Sequence, residues 1–186
     1  RIIHVESDLW KAALSTRGGA VSSWTLTGYD TAEGEPVELV LSGEHALDVT
    51  IGYGPTTLET SDWVFATGEP ADIALEEGRG ARSVEFEASG PDGIRVLKRY
   101  TFTPGSYTFD LTVEVEGLVE PAGERTVHLG WPGVPPTEAK EEDRSLSSAA
   151  MIDGGVVRTH TGSLEKEGRE KDVGEVEWAT SQSKYF

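Results

Sequence analysis

The sequence predicts an all-β protein, an antiparallel β-sandwich, on three observations. Short runs of alternating apolar and polar residues recur along the chain, Gly, Pro and acidic residues punctuate them, and no amphipathic stretch of helical period stands out. The 186 residues suffice for one sizeable core, and composition does not divide them into halves of different character. A single domain is therefore expected.

The first elements surround "STRGGAVSSWTLTGY", where two adjacent glycines, Gly18 and Gly19, follow Arg17 between the strand-like runs "DLWKAALST" and "AVSSWTL". Such a turn suits a phosphate-binding loop, a sugar pocket or a hairpin corner. Further strand-like runs follow at "PVELVL", "LDVTIGY" and "WVFA". "SVEFEA" alternates Val84, Phe86 and Ala88 with Glu85 and Glu87, and a corner at Pro91 to Gly93 leads on. "IRVLKRYTF" then puts Ile94, Val96, Tyr100 and Phe102 on one face, interrupted by Lys98. "TPGS" supplies a turn, with Pro104 fixing φ and Gly105 accepting a positive φ. "YTFDLTVEV" is the clearest alternation, with Tyr107, Phe109, Leu111, Val113 and Val115 on its apolar side. These three strands read as a meander, and "RTVHLGW" and "GEVEWATSQ" complete the set. "PGVPPTEAKEEDRS" and "EKEGREKD" read as exposed loops.

Composition bears on function mainly by exclusion. Hydrophobic residues make up 37% and charged residues 26%, ordinary for a folded chain. No run approaches the roughly 20 apolar residues of a membrane-spanning helix. The absence of cysteine removes disulfides, thiolate metal sites and thiol catalysis. A net charge of -17 argues against nucleic acid and against strong binding to anionic lipid, and favours a monomer. The first residue is Arg rather than Met, which reads as a mature product or an excised piece.

No constellation signals chemistry. The four histidines, His4, His45, His128 and His160, lack the spacing that sets two metal ligands on one helical face. His128, in a strand, points into the core or a cleft, or lies on the surface. No nucleophile elbow, P-loop or dinucleotide fingerprint occurs. No catalytic, cofactor-binding or metal residue is therefore assigned, and no cofactor is expected. Of the five tryptophans, Trp24 and Trp178 fall within alternating patterns and are expected in the core, whereas Trp10, Trp63 and Trp131 sit at strand ends. Arg95, Lys98 and Arg99 are the densest basic cluster, but alternation sends Lys98 to the face opposite the two arginines.

"LSTRGGAVSSWTLTGY" resembles the start of the large periplasmic domain of the bacterial YidC membrane-protein insertases, with its Thr-x-Gly-Gly turn and Leu-x-x-Tyr strand end. "EPVELV", "VLKRYTFTPGSYTFDLTVEVEG" and the closing "GEVEWATSQSKYF" resemble further landmarks of that family, in the same order. The resemblance implies a twisted super-β-sandwich of galactose-mutarotase-like architecture, lying in the periplasm of a Gram-negative cell between two helices of an inner-membrane protein. It implies one domain over residues 1–186, with a segment 173–186 leading towards a membrane helix absent from this chain; the acidic Pro-rich loop at 132–144 is an insert that departs from the family pattern. Gly18 and Gly19 would then serve a structural corner. Val176, Trp178, Tyr185 and Phe186 would link or dock the domain to the membrane core, and His128 and Trp131 are candidate cleft residues.

The function implied is non-catalytic. It comprises docking to the Sec-translocon accessory subunits SecD and SecF, support of the membrane core, and work on substrate membrane proteins. The alternatives are a mutarotase-like sugar epimerase, with a Glu base and a His acid across a cleft, or a carbohydrate-binding module if three tryptophans share one face.

Overall fold

The computed structural model describes residues 1–40, 42–118, 125–130, 147–160 and 176–182. The strands among them are β1 (Ile2–Glu6), β2 (Trp10–Ser15), β3 (Ala20–Asp30), β4 (Pro36–Glu38), β5 (Asp48–Tyr53), β6 (Thr56–Glu59), β7 (Asp72–Ala74), β8 (Arg82–Ser89), β9 (Arg95–Phe102), β10 (Phe109–Glu116), β11 (Arg125–Gly130), β12 (Ser147–Ile152), β13 (Gly155–His160) and β14 (Val176–Gln182). They fall into two compact units, Arg1–Pro135 and Pro136–Phe186. The all-β, mainly antiparallel expectation holds.

In the first unit a five-stranded sheet runs β4-β3-β2-β1-β7, antiparallel except for the β1–β7 pair. Two three-stranded sheets run β10-β9-β8 and β11-β5-β6. Alternation along β9 turns Val96, Lys98, Tyr100 and Phe102 inward, all fully buried. Its outer face carries Arg95, which forks onto Glu87 at 2.8 and 2.7 Å and reaches Glu116, and Arg99, which holds Glu85 at 2.6 Å and reaches Glu114. The basic cluster is thus split, as the alternation requires, and its outer members are occupied by cross-strand carboxylates.

The five-stranded sheet packs its indoles on the β9–β10 hairpin. Trp10 and Trp24 lie with ring centroids 4.3 Å apart, Trp24 stacks on Phe109 at 4.9 Å, and Trp10 meets Phe102 at 5.4 Å. The Trp10 Nε1–H donates to the Ser106 carbonyl at 2.8 Å, so its polar edge is satisfied. Trp10, although at a strand end, is therefore core. Both predicted turns form. Gly105 has φ +73 with Ser106 N–H donating to Thr103 O, and Pro91–Gly93 is a single 3-10 turn.

"PVELVL" is a strand only over Pro36–Glu38. Past it the Glu38 carboxylate accepts from the Val40 and Trp24 amides at 3.0 and 2.6 Å, so a side chain takes amides that a regular ladder would pair with carbonyls. "WVFA" is no strand but a strap, bridging Arg17 to Val64 and Ala66 to Glu87. Strands β1, β6, β7, β12 and β13 carry too few alternating residues, or too small ones, to stand out. The β12–β13 hairpin nevertheless has an Asp-Gly turn, Asp153 and Gly154 at φ 49 and 74, the residue pair such two-residue turns favour.

The second unit is a three-stranded antiparallel sheet, β13-β12-β14. Trp178, expected in the core, stands opposite Met151 and is 41% exposed. Its strand pairs with β12 alone among the described residues, and alternation specifies a face without specifying that anything covers it.

Candidate functional site

The double-glycine corner is residues 16–19, between the paired Ser15 and Ala20. Gly18 and Gly19 take successive left-handed conformations, φ +72 and +55, which L side chains rarely adopt. The strap holds the corner from outside. Gly18 N–H donates to Trp63 O and Phe65 N–H to Thr16 O, each at 2.8 Å, while the Arg17 guanidinium binds Asp62. The Gly18 amide is thus committed, and the Gly18 and Gly19 carbonyls turn inward. A phosphate loop needs amides facing its ligand; this corner presents oxygens.

Those oxygens meet Lys98. Its Nζ donates to Gly18 O at 2.6 Å and Leu47 O at 2.8 Å, with Gly19 O at 3.4 Å, and stands 5.5 Å from the Phe65 ring centre. Tyr100 Oη–H donates to Gly19 O at 2.7 Å. Burial lowers the Lys98 pKa to about 8 against the upward pull of Asp48. Burial also raises Asp48, opposed chiefly by Lys98, and raises Tyr100. Asp48 Oδ1 is buried with no hydrogen-bond partner among the described residues, and a methyl group on Gly18 would come within 2.6 Å of it. Lys98 is visible in the sequence as one charge on an apolar strand face, a signal that marks an internal partner without naming it.

The other candidates are not brought together. His128 is exposed on β11 opposite Thr50. Val176 pairs with Ile152 beside a β-bulge, two positions along β14 from Trp178. Trp131, Tyr185, Phe186 and the insert 132–144 lie outside the described residues. No group of three or more metal-ligating side chains occurs among the described residues. Trp10 and Trp24 are spent in the core, and Trp63 lies against Gly90, where a Cβ would strike its indole. A cleft of about 260 Å³ at the β7–β8 loop is lined by Ile73, Leu75, Arg79, Arg82 and Pro104 among others, with no indole or imidazole.

The profile of the family described as the YidC periplasmic domain matches residues 2–186. Membrane protein insertase YidC of Chlorobaculum parvum is 25% identical over 191 residues, covering 100% of this chain and 32% of the relative. That of Syntrophus aciditrophicus is 27% identical, covering 99% of this chain and 34% of the relative. That of Nitratidesulfovibrio vulgaris is also 27% identical, at 100% and 34%. The chain spans about a third of the length of the curated relatives it matches. A match through both compact units, carrying the RGG corner and the β8–β10 meander, establishes that the chain belongs to the YidC periplasmic domain family.

Proposed function

We propose that this chain acts as the non-catalytic periplasmic domain of an inner-membrane insertase of the YidC type, docking to the accessory subunits SecD and SecF and supporting the membrane core as it handles substrate membrane proteins. The observation that carries the reading is the family match over residues 2–186, together with relatives named membrane protein insertase that run to about three times this length. The match runs through both units, which supports treating them as one functional domain. Within it, residues 173–186 are assigned the link to the membrane core, through Val176, Trp178, Tyr185 and Phe186. The 41% exposure of Trp178 supports that role, because an indole presented at the surface is available to another surface.

The test uses the full-length insertase. Removing Val173 to Phe186 alone is expected to cost more insertion of a small membrane protein than removing Arg1 to Asp172 with the tail retained. Equal losses, or a greater loss from removing the body, would reject the linking role. Site-specific crosslinking from Trp178 and from surface positions of β8 to SecD and SecF tests the docking; no crosslinked product from any position would reject it.

A further inference from the structure

The carbonyl oxygens of Gly18, Gly19 and Leu47 converge on one point from two separate stretches, and the group at that point, Lys98 Nζ, comes from a third. Leu47 is itself left-handed, φ 66, an unfavourable conformation for a branched side chain. It adopts it with its carbonyl on Nζ. The face of Phe65 stands close by and Asp48 adds a negative charge to the surroundings. Carbonyl oxygens, a carboxylate and an aromatic face are what binds a monovalent or alkylammonium cation.

We infer that the 16–19 corner, Leu47–Asp48 and Phe65 form a cation cage that the chain fills with its own ammonium, and that the cage takes a small primary alkylammonium ion when the lysine is cut back. The amino group holds the corner shut. Inward-turned buried carbonyls need N–H donors, which Nζ supplies, and none of the three can recover water in a site where Lys98 is 0% exposed. Tyr100 satisfies Gly19 O from the same strand, so the residues most dependent on the cation are Gly18 and Leu47.

The test is Lys98→Ala in the full chain, with n-propylammonium chloride supplying the atoms removed, and sodium chloride and n-propanol as matched controls. Amide hydrogen exchange is followed at Gly18, Val21, Ala46 and Phe65, whose N–H groups tie the corner to its neighbours. The β9–β10 ladder serves as internal reference. The variant is expected to lose roughly tenfold or more of the corner's protection, the scale of a lost charge-assisted hydrogen bond. n-Propylammonium should restore it saturably, and n-propanol should not. Unchanged corner protection in Lys98→Ala, or equal rescue by n-propanol, overturns the cage.

A variant that does not fold leaves the parent chain as the probe. At pH 6.5 the Lys98 ammonium protons should exchange slowly with water and show nitrogen-to-carbonyl couplings to Gly18 and Leu47. Fast exchange without such couplings overturns the proposal equally.

Discussion

Between pH 8 and 10 the chain is expected to grow more stable, because the buried surroundings of Lys98 hold its proton less tightly than water does. Its pKa falls from an ordinary 10.5 to about 8 on folding. In that window the unfolded chain binds more protons than the native one, so stability rises with pH. At about 1.4 kcal/mol per unit at full slope, reduced at both ends of the window where the native or the unfolded amine is only partly titrated, the gain from pH 8 to pH 10 is about 2 kcal/mol. Tyr100 acts in the opposite sense. Its pKa is raised by burial, so above pH 10 the unfolded chain loses a proton that the native chain keeps, and stability falls again. Urea unfolding at half-unit steps from pH 7.5 to 11, at constant ionic strength, should show a maximum near pH 10. Lys98→Met should abolish the rising limb and keep the falling one. A flat or falling profile from pH 8 to 10 in the parent, or the same rise in Lys98→Met, would refute the assignment.

Gly34→Ala, at φ +83 with open space around it, should cost about 1 kcal/mol in urea unfolding. Gly18→Ala adds contacts at 2.6 Å to Asp48 Oδ1 and 3.1 Å to Ser61 O, and should cost about 2 kcal/mol or more; equal costs would mean that the corner is not crowded. Glu38→Ala removes the acceptor of Ser23, Thr25 and two amides and should lower stability by about 2 kcal/mol, with Glu38→Gln losing about half as much. Co-sedimentation with anionic vesicles should be negligible even at low salt, given the charge of -17, and strong binding there would reveal a basic face that the sequence hides.

Much of the β8–β9–β10 meander was legible because strand side chains alternate with a period of two, so a column of apolar residues names its own face. Ile94, Val96, Tyr100 and Phe102 are all buried, as that pattern implies. Turn chemistry was legible for the same local reason, since Gly18, Gly19, Gly93 and Gly105 all have positive φ. Family membership followed from the order of such landmarks. The Asp153–Gly154 turn was equally local and could have been read. The strap at 63–66 could not, because its two bridges join segments that are distant in sequence.

Composition and alternation by themselves determined an acidic, all-β chain with glycine corners and one lysine on an apolar strand face. Tertiary structure alone decided what that lysine does. Its acceptors lie 80 and 51 residues away, at Gly18 and Leu47, and no periodicity along the chain encodes which carbonyls will converge on a buried charge. Likewise alternation placed Trp24 and Trp178 on strands, but only packing made one buried at 3% and left the other 41% exposed. Burial depends on what faces a strand, and that partner is chosen by the assembled sheets rather than by the strand's own residues.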